Sequence, residues 1–169
     1  DIEPSRGLGD VYKRQVYDKK LVKMFSNVAK NLDMKHVMIV HGDDGLDEIS
    51  ICAETTVSEL KDNNISEYKI SPKDYGLNLS SFDQIAANSS DESLLLVNSA
   101  FNGESSAVQD MIALNSGAAL YVASVVNSIS DGVEMAFDCM NNGQAAQKLA
   151  DYVSCLLYTS DAADESTCV

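Results

Sequence analysis

Between Val37 and Ser50 the chain reads VMIVHGDDGLDEIS: an apolar run stops at His41-Gly42 and is followed at once by Asp43, Asp44, Asp47 and Glu48. An unbroken apolar run of this length fits a strand covered on both faces, the environment of a sheet packed between helices. Ligands of open α/β sheets lie outside the carboxyl ends of the strands, so the run predicts an inner strand with an acid-rich loop at the functional edge. Carboxylate oxygens suit Mg²⁺, which keeps several waters and binds through one or two carboxylates together with substrate phosphates.

The surrounding pattern is that of an alternating α/β protein. Asp18 can cap a first helix in which Leu21, Phe25, Val28 and Leu32 share one face, and that apolar face is expected in the core. Ile49–Leu60 and Ile65–Ile70 are rich in β-branched residues and are separated by Lys61–Asn64, which predicts a two-stranded excursion. Beyond Pro72 four helices are predicted. Ser81 with Gln84 and Ser106 with Gln109 have capping-box spacing, and Asp131 with Glu134 is a looser version. The most apolar helix, Ser106–Val126, carries Ser116-Gly117-Ala118-Ala119, small residues that permit close approach of a neighbouring element. Two further helices, Val133–Met140 and Gln144–Val153, are split by Asn141-Asn142-Gly143.

Composition narrows the function classes. With 169 residues the chain is long enough for one ordinary core. A formal charge of −14 excludes a nucleic-acid backbone or an anionic membrane surface as the expected partner, since both demand a basic face. Cys52, Cys139, Cys155 and Cys168 are widely spaced and the histidines are few, so neither a zinc site nor a disulfide scaffold is indicated, and a reduced, cytoplasmic setting is expected.

The two ends differ from the middle. Residues 1–15, DIEPSRGLGDVYKRQ, show neither helical nor strand periodicity, and residues 155–169, CLLYTSDAADESTCV, drift into a polar tail. GLGDVYKRQ and CLLYTSDAADE resemble translated sequencing-adapter read-through, so both ends are expected to be extraneous and are set aside from the fold. That leaves Val16–Ser154, which contains no arginine, because Arg6 and Arg14 both lie in the first segment.

Three ordered motifs then carry a resemblance: HGDDGLDEIS, SPKDYGL (Ser71–Leu77) and LNSGAALYVA (Leu114–Ala123). Together they are similar to the C-terminal half of the anthranilate phosphoribosyltransferase family, across Val16–Ser154. The resemblance implies part of a nucleoside phosphorylase/phosphoribosyltransferase α/β domain, with a mixed sheet flanked by helices. It also implies Mg²⁺-dependent transfer of phosphoribosyl from phosphoribosyl pyrophosphate to anthranilate, in tryptophan biosynthesis. By the same resemblance Asp47 and Glu48 hold the Mg²⁺, and the intact enzyme pairs as a homodimer through a helical domain. The family's glycine-rich phosphate loop, its Lys-His-Gly-Asn segment and its anthranilate arginine have no counterpart in this sequence. No catalytic residue and no substrate-binding residue is therefore assigned, and the chain is expected to be inactive alone and to expose apolar surface.

Asp43 and Asp44 are read as ordinary loop residues. An EF-hand is excluded, because an apolar residue occupies the first loop position when Gly45 is set at the sixth. His41 is read as a packed or hydrogen-bonded strand-end histidine, Cys52 and Cys139 as small buried hydrophobes, and Lys19, Lys20 and Lys23 as a solvated face. Two alternatives stand beside the main reading: a pyrimidine nucleoside phosphorylase-type enzyme, and a non-catalytic acidic binding module using the hairpin near Asn63.

Overall fold

The computed structural model of the protein describes residues 11–104 and 106–164. Residues 1–10, with Arg6, and residues 165–169, with Cys168, lie outside the described residues. The chain forms a four-stranded mixed sheet in the order β1 (Val11–Gln15), β2 (His36–Gly42), β3 (Thr55–Lys61), β4 (Asn64–Ile70). β1 runs parallel to β2, and the other neighbours are antiparallel. The α-helices are α1 (Lys19–Asn31), α2 (Ser90–Phe101), α3 (Ser106–Val122), α4 (Ile129–Asn141) and α5 (Gln144–Asp164). The expected α/β class and mixed sheet are present, with β2 inside the sheet.

β2 is buried along its whole length and divides its side chains between two cores. Val37 and Ile39 face α1 with Val22 and Ala29, while Met38 and Val40 join Ile49, Ile51, Val57, Leu114 and Val133 on the other side. Full burial of each such side chain contributes about 1.5–3 kcal/mol, so one short strand ties both layers together. β3 and β4 are joined by Asp62 and Asn63, both at positive φ (49° and 62°), the two-residue reversal whose twist matches the flanking strands.

α3 and α4 meet backbone to backbone at Gly117 and Gly132. A Cβ on Gly117 would lie 2.6 Å from the Val133 nitrogen, and one on Gly132 would lie 2.8 Å from the Gly117 Cα. The small-residue run in α3 therefore does what its composition predicts.

Several expectations need correction. Val11–Gln15, which shows no strand periodicity in the sequence, is a strand: its backbone pairs in register with His36–Val40, and backbone pairing asks for no side-chain alternation. The last helix, expected to end at Val153, runs on to Asp164. Ile49–Ala53 is not strand but loop, and β3 begins only at Thr55. In α1, Asp18 does cap, accepting from the Lys20 N–H at 2.9 Å. Yet the buried face is Val22, Ser26 and Ala29, while Phe25, Val28 and Leu32 are exposed. Small side chains lie flat on the sheet, and the Ser58 hydroxyl donates to the Ser26 oxygen at 2.8 Å, a contact bulky residues would prevent.

The helix starts also shift. Ser81 donates its backbone N–H to the Gln84 side chain, but this closes a short 3-10 turn, and α2 begins later, behind Ser89. α4 starts at Ile129, with Ser128 accepting from the Asp131 N–H, so the cap lies three residues before the Asp131–Glu134 spacing. Gln109 caps nothing: its side-chain amide donates to the Ala100 carbonyl and the Asn141 side chain. The Ser106 side chain lies outside the described residues.

Candidate functional site

β2 ends at Gly42, and the chain turns immediately. The Gly42 N–H donates to the Leu46 carbonyl at 2.8 Å, and a Cβ at Gly42 would lie 2.5 Å from the Asp44 side chain and 3.2 Å from Ser50. Only a residue without a side chain lets the turn close so tightly. Asp44 is spent inside it, accepting from the Ser50 hydroxyl and the Leu46 N–H. The Ser50 oxygen in turn accepts from the N–H groups of Cys52 and Ala53, and the Ser50 N–H donates to Thr55 Oγ1. The descent from the loop into β3 is thereby stitched to itself.

Asp43 faces outward and gathers cations. Lys69 Nζ donates to it at 2.6 Å, Lys19 Nζ at 3.1 Å and the Thr56 hydroxyl at 3.1 Å. The bonds from Lys69 and Lys19 hold its carboxyl down at about 2. Lys69 also bridges to Glu54 at 2.9 Å. The reading of Asp43 and Asp44 as loop residues stands, with specific partners. Lys19 and Lys23 are exposed but paired, with Asp43 and Glu67 respectively.

Asp47 and Glu48 differ from both. Neither makes a hydrogen bond or ion pair with another described residue. Asp47 is exposed and Glu48 partly so, at the carboxyl end of β2, immediately before the buried Ile49. Lys13 of β1 contributes positive charge nearby: burial lowers its amine from the ordinary value, and the Glu48 and Asp47 carboxylates pull it back up. Its Nζ donates to the Asn115 side chain of α3 at 2.7 Å. Two uncommitted carboxylates in sequence suit Mg²⁺, which fills its remaining positions with water and phosphate oxygen. Among the described residues no group of three or more His, Cys, Asp and Glu gathers to hold a metal, which argues against a closed all-protein cage.

The family model for the glycosyl transferase family, a/b domain, matches residues 14–146. The chain belongs to that family. Curated relatives within it include the anthranilate phosphoribosyltransferase of Vesicomyosocius okutanii, 46% identical over 138 residues, covering 82% of this chain and 41% of the relative. That of Acetivibrio thermocellus is 37% identical over 150 residues, covering 89% and 43%. The crystal structure of anthranilate phosphoribosyltransferase from Thermus thermophilus superposes with a TM-score of 0.77 at 25% identity, covering 86% of this chain and 43% of that one. The Saccharomyces cerevisiae enzyme in complex with PRPP and Mg shares the fold, with a TM-score of 0.72 at 21% identity, covering 84% and 42%. This glycosyl transferase family chain thus spans about two fifths of the length of the relatives it matches.

The other polar cluster of the domain was not anticipated. His36 Nε2 lies 2.7 Å from Glu59 Oε1, and the Tyr68 hydroxyl donates to Glu59 Oε2 at 2.7 Å. Tyr121 meets the His36 ring edge to face at 4.9 Å, and Lys61 Nζ donates to its hydroxyl at 3.1 Å. Burial raises the Glu59 carboxyl, but bonds from His36, Tyr68 and Tyr121 outweigh it, and the net direction is downward. Both Glu59 oxygens have a donor or ring-nitrogen partner, so the cluster reads as a fastening between β2, β3, β4 and α3. His41 is also structural, its Nδ1 donating to the Val16 carbonyl at 2.8 Å. Cys52 packs against the main core, where burial and then Asp44 push its thiol up, away from reactivity.

Sequence reasoning missed Asn115, whose only signal was a lone amide inside the apolar LNSGAALYVA run.

Proposed function

We propose that this chain supplies the cation-binding part of an anthranilate phosphoribosyltransferase. The observation that carries the reading is the division of labour in the loop after β2: Asp43 and Asp44 are consumed by hydrogen bonds, while Asp47 and Glu48 make no hydrogen bond or ion pair with another described residue. In the reaction the relatives are named for, the bond from ribosyl C1 to the pyrophosphate oxygen breaks. A bond from C1 to the amine nitrogen of anthranilate forms, and the amine loses a proton. A magnesium ion held by Asp47 and Glu48 would neutralise charge growing on the pyrophosphate. Neither carboxylate is asked to move a proton. Pyrophosphate and anthranilate recognition are assigned to the remainder of the intact protein, which acts in the cytoplasm as a homodimer, and the chain does not turn over alone.

The pyrimidine nucleoside phosphorylase reading is not favoured, because the relatives above carry the anthranilate name. An acidic binding module is likewise not favoured, because the relatives above are named as transferases. We also take the sequence outside residues 16–154 to be extraneous. Reads from the source DNA that pass unchanged across both junctions would reject that.

The deciding experiment replaces the matching segment of the Vesicomyosocius okutanii enzyme with residues 16–154 of this chain. Anthranilate consumption, followed by fluorescence with phosphoribosyl pyrophosphate and Mg²⁺, is expected to persist. Asp47→Asn with Glu48→Gln is expected to lower it by about 10²-fold or more. A folded chimera without activity, or a double variant as active as its parent, overturns the reading.

A further inference from the structure

The acid loop is held from outside as well as from within. Asn115 of α3 grips the backbone of Ile49, the residue that follows Glu48, at two points. Its Nδ2 donates to the Ile49 carbonyl at 2.9 Å, and its Oδ1 accepts from the Ile49 N–H at 3.1 Å. A side-chain amide used this way imitates one rung of a β-ladder, satisfying the donor and the acceptor of a single buried residue. The same Nδ2 also donates to the Met111 carbonyl at 3.0 Å, which fixes the amide's orientation on its own helix. Lys13 Nζ then donates to Oδ1, so a cation shares the acceptor that holds Ile49.

Both ends of this grip are rigid. Ile49 is 1% exposed and its side chain lies in the main core, so both its backbone and its side chain are fixed. Asn115 sits between Leu114 and Ala118, each fully buried in the same core. Glu48 is therefore covalently attached to a well-anchored backbone position, while its own carboxylate makes no hydrogen bond or ion pair with another described residue. That combination is what a weak, two-carboxylate cation site requires: a fixed origin for the side chain without a competing partner for its oxygens.

We propose that Asn115 is the positioning residue of the Asp47–Glu48 cation site. It touches neither the cation nor the substrate, and it acts through the Ile49 peptide. The proposal rests on the reading of Asp47 and Glu48 given above. Loss of the amide leaves the Ile49 N–H and carbonyl unanswered in a buried setting, and the loop then finds another path. Asn115→Asp is the sharper variant, since it keeps size and acceptor but sets a charged oxygen against the Ile49 carbonyl.

The test measures Mn²⁺ binding to the full 169-residue chain by the electron paramagnetic resonance signal of free Mn²⁺, alongside thermal unfolding. Asn115→Ala and Asn115→Asp are expected to weaken the Mn²⁺ affinity by about 10-fold, the usual size of an outer-sphere defect. Val122→Ala, buried on the same helix, is expected to lower the unfolding temperature and leave Mn²⁺ affinity unchanged. Asp47→Asn with Glu48→Gln separates the two hypotheses. If it leaves binding unaltered, the cation site itself fails. If it removes binding while both Asn115 variants bind like the parent, or if Val122→Ala weakens binding equally, the positioning role fails and the site survives. Should Asn115→Ala not fold, Asn115→Asp carries the decision, and parental affinity there overturns the proposal.

Discussion

Gly117 of α3 and Gly132 of α4 meet backbone to backbone at the helix crossing, each occupying the space a Cβ of the other would need. Gly117→Ala would place a methyl group 2.6 Å from the Val133 nitrogen, and backbone cannot rotate out of the way as a flexible side chain can. The alanine's better helix propensity, worth about 1 kcal/mol, is outweighed by overpacking of about 1–3 kcal/mol. A lower midpoint in urea unfolding is expected. Gly132→Ala should act alike, and the double variant should cost less than the two singles added, because one displacement of α4 relieves both clashes.

Glu59 gives the fold a signature in acid. Its carboxyl lies below the ordinary value of 4.5 in the folded state, where His36, Tyr68 and Tyr121 favour the ionised form despite burial. The stability this contributes is complete above the ordinary range and is lost as pH falls through the folded value. At neutral pH, Glu59→Ala is expected to cost about 3–5 kcal/mol, because it leaves His36 and the tyrosines without their buried acceptor. The gap between parent and variant should narrow as pH falls below the ordinary carboxylate range, as read by chemical denaturation across pH.

Asp43 and the Asp47–Glu48 pair should part company when neutralised. Asp43 is engaged by Lys19 and Lys69 at the surface, so Asp43→Asn is expected to leave divalent-cation affinity within about twofold of the parent, exposed ion pairs being weak. Isothermal titration with Mn²⁺ reads this directly. A loss as large as that in the Asp47→Asn, Glu48→Gln variant would mean the loop binds cations by summed charge, with no defined pair of ligands.

α1 turns Met24, Phe25, Val28 and Leu32 outward, and an open groove of about 680 Å³ lies between Phe101, Ile112, Leu120, Met140 and Ala145 on the helical side. Both offer exposed apolar side chains. The chain is expected to bind an environment-sensitive apolar dye in its folded state. Phe25→Glu with Leu32→Glu should reduce that signal and change stability by no more than about 0.5 kcal/mol per site, since neither side chain is in the core.

How far the sequence could be read depended on how local each signal was. The Val37–Val40 run announced an inner strand because burial on both faces needs unbroken apolarity, and Lys61–Asn64 announced the hairpin because positive φ falls to Asp and Asn. Gly117 was legible for the same reason, as a gap in side-chain volume within one helix. Periodicity misled at α1, where the larger apolar residues form a stripe but the smaller ones, Val22, Ser26 and Ala29, reach the sheet. Val11–Gln15 was invisible because edge pairing is a backbone property. The engagement of Asp43 and Asp44, and the grip of Asn115 on Ile49, join residues distant in the chain, and no spacing encodes them. Asp47 and Glu48 were singled out through their motif, and what the structure adds is that their neighbours are committed and they are not.

The bond between Asn115 and Ile49 also sets an order of events during synthesis. The acid loop leaves the ribosome 66 residues ahead of the side chain that grips it. At roughly 5–20 residues per second, that interval is about 3–13 s. Through that time β2, β3 and β4 can pair, yet the turn after Gly42 has only its own short-range bonds. The acidic loop is thus finished late, by a helix still being made while the sheet already stands, and a nascent chain stalled before α3 holds its carboxylates on an unanchored tether.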